Sequence, residues 1–203
     1  MKKILLSAIL LLVSMVSFSQ SEYTDQLLSQ IQNQYEIDGQ GNLTHIEIVE
    51  VDSTLSKEDL YIRALSYFAY TYGSSQSVIQ VQDKERGLII GKGLYDNVYT
   101  GYPFMGTIKN KAWHILRIDI RDGKYKITMT LTNYDSDYYD GNGRFVSTSN
   151  LLISTQYPID PNGKSKTVFG KTFYHLHIRS EESIERLKNA MREGITFKDA
   201  DKW

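Results

Sequence analysis

The strongest constraint on the fold is one stretch, AWHILRIDIRDGKYKITMTLTNY, residues 112–134. Asp122-Gly123 set between alternating apolar residues marks a two-residue hairpin turn, whose tight backbone favours Asp and Gly. Such a turn predicts a register. Arg121 faces Lys124, Ile120 faces Tyr125, Ile118 faces Ile127, Leu116 faces Met129 and His114 faces Leu131. The opposite face pairs Asp119 with Lys126, Arg117 with Thr128, Ile115 with Thr130 and Trp113 with Thr132. A slip of one residue would bury Lys, Arg and Thr, so the pattern admits one register only. The chain must therefore build an antiparallel sheet with one apolar face and one polar, cationic, Thr-rich face.

The apolar face needs cover, and two segments offer it. Ser56 and Asp59 form a capping pair, and Leu60, Ala64, Phe68 and Tyr72 then recur every four residues until Gly73. This predicts an amphipathic helix over 57–72. In SEESIERLKNAMREG, Ser180 is the expected N-cap, acids fill the first turn, Ile184, Leu187 and Met191 form a stripe, and Gly194 closes a terminal helix. Ahead of the first helix YEIDGQGNLTHIEIVEV reads as strand, turn, strand, and between the two helices Ser77–Gln82 and Leu88–Leu94 read as strands joined at Gly87. Gly91 and Gly93 share a face with Ile89, which predicts a close backbone approach or a bend. Residues 20–34 read as a polar spacer or a short marginal helix. After Tyr134 the chain reads as loop (DSDYYDGNGRF), a β-like NLLISTQYPI, a DPNGKSK turn and a strand-like TVFGKTFYHLHI. The expected fold is α+β, a curved antiparallel sheet with helices on one face in the order β-α-β-β-β-β-α. A single domain over 43–203 follows an N-terminal segment at 20–42. It comprises a core at 43–133, an extension of extra β and loop elements at 134–179, and the helix at 180–194.

The N-terminus reads as an export signal. Lys2 and Lys3 precede an apolar run from Ile4 to Val16, and the small Ser17 and Ser19 precede Gln20. The run is shorter than the roughly 20 residues that span a bilayer, so cleavage near Ser19/Gln20 and a periplasmic or extracellular product are expected, with no transmembrane segment in the mature chain. Exported chains often rely on disulfides, but this one has no cysteine and must be held by packing. Without Lys2 and Lys3 the 23 basic residues fall two short of that number against 24 acidic ones, a net charge near −3. That balance argues against nucleic acid as a partner.

Taken together, the capped helix with Leu60-Tyr61, the Gly73-Ser74-Ser75 exit and the Gln82-Asp83-Lys84 turn form a recognisable set with the Gly91-Lys92-Gly93 strand and the Asp122-Gly123-Lys124-Tyr125 hairpin. Over roughly 45–133 this set resembles a family of secreted Gram-negative bacterial domains of unknown function with a TATA-binding-protein-like (TBP-like) fold. The resemblance implies that fold and export, and it carries no catalytic or binding residues.

Motifs for chemistry are weak. RGLIIGKG, residues 86–93, half-resembles a phosphate loop, but only three residues separate Gly87 from Gly91 and Gly93 replaces the required hydroxyl. In DSDYYDGNG, Asp135, Asp137 and Asp140 do not keep the spacing of a calcium loop. His175 and His177 would share a strand face as two metal ligands do, with His45 or His114 as the other histidines. No catalytic, cofactor or metal site is assigned on these grounds. A metal-assisted hydrolase or lyase using His175 and His177, or the acids of 135–142, is the alternative to the main expectation. That expectation is a non-enzymatic module that binds an envelope or extracellular protein or glycan. The surface expected to do so combines the polar hairpin face (Trp113, Ile115, Arg117, Thr128, Thr130) with Tyr99, Tyr102 and Phe104 of a Tyr-rich connection at 94–106. The competing expectation is that the C-terminal segment, with Leu151, Leu152, Ile153, Val168 and Phe169, covers this face.

Overall fold

The computed structural model describes residues 21–51, 54–72, 78–103 and 106–194. The expected signal segment, Gly73-Ser74-Ser75 and Phe104 lie outside them. A helix α1 over 21–30 precedes β1 (Glu36–Ile37) and β2 (Leu43–Glu50). Helix α2 (Lys57–Thr71) leads into β3 (Ile79–Asp83), β4 (Leu88–Gly101), β5 (Gly106–Arg121), β6 (Lys124–Asp140) and β7 (Phe145–Leu152). A 3-10 turn (Ile153–Thr155) and a long helix α3 (Lys166–Glu193) complete the order. The seven strands form one antiparallel sheet, β1-β2-β6-β5-β4-β3, with β7 paired to the far half of β6.

The central hairpin follows the expected register from Arg121–Lys124 out to His114–Leu131. Gly123 takes φ of +72° at the turn, a left-handed value that glycine adopts without a Cβ penalty. On the inward face Leu116, Ile118, Ile120, Tyr125, Ile127, Met129 and Leu131 are all buried. The register then departs from expectation: Trp113 faces Asn133, and Thr132 is the additional residue of a β-bulge. Beyond it the parity of β6 reverses, so even-numbered Tyr134 and Ser136 turn inward while Asp135 and Asp137 join the outer face of Trp113 and Lys111.

Helix α2 begins where its capping box predicts, with Ser56 Oγ accepting from the Asp59 amide and Asp59 accepting from the Ser56 amide. Its Leu60, Ala64, Tyr67 and Phe68 pack on Ile89, Leu116, Ile118, Ile127 and Met129, and Ile184, Leu187 and Met191 of α3 close the same cluster. Gly91 makes room for the Phe68 ring, and a Cβ at Gly93 would sit 2.6 Å from both the Tyr72 and the His114 rings. The expected close approach is therefore made by aromatic side chains and not by a backbone.

Three segments differ from expectation. The connection at 94–106 is mostly strand: β4 runs on to Gly101 around a bulge where Asn97 is left-handed and Arg179 donates to the Asp96 carbonyl at 2.6 Å. Residues 135–140 continue β6, and the chain turns only at 141–144. TVFGKTFYHLHI is helical, because its Phe169, Phe173 and Leu176 continue the stripe of Ile184, Leu187 and Met191 along one side of a single helix. Ser180 is therefore interior, and its hydroxyl bonds back to the Leu176 carbonyl at 2.8 Å. At 28 residues α3 is about 42 Å long. Its first half covers a second cluster with Ile31, Leu43, Tyr95, Val98, Ala112, Leu131, Tyr134 and Ile153. The Gln-rich N-terminal segment is the helix α1, with Thr24, Leu27 and Ile31 buried. No helix among the described residues is long and apolar enough to cross a membrane.

Candidate binding face and a buried histidine cluster

All three helices bury their apolar residues against the inward face, and Ile46 and Ile48 on the opposite face stay 48% and 67% exposed. Of the C-terminal segment expected to cover this outer face, Leu151, Ile153 and Phe169 pack instead into the inner cluster and Val168 is buried, while Leu152 pairs with Asn133 at the sheet edge and stays exposed. Across the strands the outer face reads Ile46, Thr128, Arg117, Ile90 in one row and Thr44, Thr130, Ile115, Lys92 in the next. Alternation along β2, β6, β5 and β4 puts these residues together. The turn at 38–42 walls one end, leaving a shallow hollow of about 600 Å³ over Ile90, Ile115, Arg117, Thr128 and Thr130.

Several charges on this face are internally paired. Arg117 donates two hydrogen bonds to Asp119, at 2.8 and 2.6 Å, and these hold the Asp119 carboxyl below the usual carboxylate range. Lys92 lies 4.6 Å over the Trp113 ring, whose Nε1 donates to Asp135 at 2.7 Å. Asp135 also accepts from Asn150. Asp137 accepts from Thr148 at 2.6 Å and lies 3.1 Å from Lys111, contacts that lower its pKa. Asp140 accepts the Asn142 and Arg144 amides of its own turn. The acids of 135–140 thus have separate partners and do not converge.

Five expected surface residues, Trp113, Ile115, Arg117, Thr128 and Thr130, come together. Tyr99 does not join them: it pairs with the buried Asn110 and stacks on His175 of α3, ring centroids 5.5 Å apart, on the inward side. Tyr102 is 78% exposed beyond the end of β4.

His175 and His177 do not form a pair. On a helix, residues two apart point to different sides; His175 is exposed and His177 is fully buried. His177 instead meets His45 of β2, ring centroids 5.0 Å apart, with Glu181 one helical turn further along α3. The His45 Nδ1 lies 2.8 Å from Glu181 Oε1. Burial, helped by the neighbouring His177, pushes His45 down to about 4, so near neutrality this contact is a hydrogen bond from an uncharged imidazole and not an ion pair. Burial also lowers His177. Burial raises Glu181, and Glu47 and Glu185 raise it further. His177 Nε2 lies 3.3 Å from Gln34 Oε1, and the Gln34 amide nitrogen donates to the Gln30 carbonyl at 2.8 Å. The sequence reading missed Glu181. The signal was the i, i+4 spacing of His177 and Glu181, which is meaningful only on a helix.

Comparison with known proteins agrees with this architecture. Residues 46–135 match the family described as "Domain of unknown function (DUF4468) with TBP-like fold". Two solved structures share the fold. A TBP-like protein from Parabacteroides distasonis aligns at TM-score 0.52 and 19% identity, covering 76% of this chain and 95% of its own. A DUF4468 family protein from Bacteroides ovatus aligns at TM-score 0.50 and 10% identity, covering 75% and 88%. No curated protein matches.

Proposed function

We propose that the protein is a non-enzymatic binding module, exported to the cell envelope, whose outer sheet face receives another protein. The observation that carries this reading is the uncovered face itself. Ile46, Ile48, Ile90 and Ile115 lie among Thr128, Thr130 and the Arg117–Asp119 pair, with no helix of the described residues over them. Aliphatic side chains among satisfied polar groups suit a protein surface, where apolar contact supplies the affinity and paired charges supply register. A glycan would call for an open aromatic ring, and Lys92 lies over the Trp113 ring. The export signal read at 1–19 supports a partner in the envelope.

The test is capture from envelope extract on immobilised protein, with bound polypeptides identified by mass spectrometry. Ile46→Asp and Arg117→Ala, with unchanged circular dichroism, are expected to abolish capture of a polypeptide that Lys171→Ala on α3 retains. Capture that survives both face substitutions, or that is lost when the extract is deglycosylated, would sink this reading.

A further inference from the structure

On the helical side of the sheet, away from the proposed docking face, we propose that His45, His177 and Glu181 form a binding site for a divalent transition-metal ion of the Zn²⁺ class. The three come from β2 and from successive turns of α3, and one donor atom from each lies within 4.8 Å of the other two. Metal–ligand bonds of 2.0–2.2 Å put the donors of a tetrahedral site about 3.4 Å apart. The widest pair must therefore close by about 1.4 Å at most, a distance within the reach of side-chain rotation.

Geometry and hydrogen bonding prepare both imidazoles for this. The His45 Nδ1 faces Glu181 Oε1 at 2.8 Å, so an ion that displaces the proton they share takes both as ligands as the pair opens to about 3.4 Å. His177 gives its Nε2–H to Gln34 Oε1, which leaves Nδ1 as a lone pair with no hydrogen-bond partner. The Gln34 orientation is fixed independently, since its amide nitrogen is engaged by Gln30. Both rings are buried, at 4% and 0% exposure. An acceptor lone pair removed from water without a donor is costly, and the His177 Nδ1 beside the His45–Glu181 pair forms a set that a Lewis acid satisfies. Metal-binding histidines commonly direct the other ring nitrogen to a carboxylate or carbonyl oxygen, as Gln34 Oε1 allows here for His177.

Local charge favours a cation. Glu47, Glu181 and Glu185 surround one ammonium, that of Lys188, which is 2.9 Å from Glu47 and 2.5 Å from Glu185. A cleft of about 280 Å³, lined by Gln34, Tyr35, Thr44, His45, Glu47 and Glu181, gives access from solvent and leaves room for water as a fourth ligand. Neutral nitrogen donors with one carboxylate select Zn²⁺ or Co²⁺ over Mg²⁺ or Ca²⁺, which prefer oxygen ligands. A metal there would join β2 to α3 beside the end of α1.

The test uses the full chain, stripped with chelator and titrated with ZnCl₂ by calorimetry, then with CoCl₂ by visible absorption. One ion per chain, tetrahedral Co²⁺ bands, a melting temperature that rises with Zn²⁺ concentration and indifference to Mg²⁺ are expected. Glu181→Gln and His177→Gln should remove the Co²⁺ bands. Gln34→Ala, which touches only the orienting hydrogen bond, should weaken Zn²⁺ by about tenfold. His175→Gln should change nothing. Absence of stoichiometric binding by the folded wild type would overturn the proposal, as would binding unchanged by Glu181→Gln and Gln34→Ala or lost with His175→Gln.

Discussion

The sheet has two halves that share strands but not chemistry. In the half that α2 covers, the interior is aliphatic and aromatic, from Leu60 and Phe68 through Ile118 and Ile127 to Leu187. In the other half, beyond the bulge, a buried polar chain crosses the interior: Ser136 donates to Asn110 at 2.6 Å, Asn110 donates to Thr172 at 2.7 Å, and Thr172 donates to the Val168 carbonyl at 2.8 Å. The first interior is specified mainly by shape, with the Tyr67 hydroxyl donating to the Ser183 carbonyl. The second also requires satisfied hydrogen bonds, which penalise any alternative seating of α3. Yet β5, β6 and α3 pass through both halves, so the two clusters should stand or fall together.

The sharpest way to break that idea is to empty each half in turn. Phe68→Ala and Phe173→Ala both remove fully buried rings, and each should lower stability by about 3–5 kcal/mol. Urea unfolding should stay a single transition in both variants. A second transition appearing only in Phe173→Ala would mean that the polar half melts alone.

His114 stands next to the bulge, sharing a 2.8 Å hydrogen bond with Tyr72 and stacking on Tyr95. Burial and the Arg179 charge push its imidazole down to about 4 from an ordinary 6.5. The unfolded chain therefore takes up this proton first as the pH falls. The stability tied to neutral His114 is complete above pH 6.5 and is lost as the pH falls through 4, about 3 kcal/mol in all. Stability measured against pH should slope downward across that window, and His114→Gln should flatten part of the slope. An unaltered slope in the variant would remove His114 from this role.

The smallest effect distinguishes the halves by sign. Tyr134 is fully buried in the polar half, and its hydroxyl has no hydrogen-bond partner. Tyr134→Phe removes that unsatisfied group and should raise stability by about 1 kcal/mol. A loss on thermal or urea unfolding would show that the hydroxyl is engaged after all.

The same division marks what could be read in advance. The hairpin at 122–123 and the Ser56 cap are local signals, and the structure follows both. The bulge at Thr132 is not local: nothing in LTNYD announces an extra residue, and every pairing beyond it shifts. The first half of α3 was hidden by composition, since Thr167, Val168, Phe169, Thr172, Phe173 and Tyr174 favour strands in isolation and Gly170 weakens a helix. Its stripe of Phe169, Phe173, Leu176, Ser180, Ile184 and Leu187 was present, but the small Ser180 interrupted it. Five residues of the outer face were legible because alternation alone groups them. The His45–His177–Glu181 cluster needed both the helix and the pairing of β2 with β6, and neither follows from one segment.

The inserted residue in β6 works as a phase marker for everything downstream. Deleting Thr132 would not merely shorten a strand. It would present the Tyr134 ring to solvent and drive Asp135 and Asp137 beneath α3, exchanging the two sides from that point to the end of the strand. Length changes in this arm should therefore be tolerated in steps of two residues, and relatives that lack the extra residue should carry the opposite alternation after it.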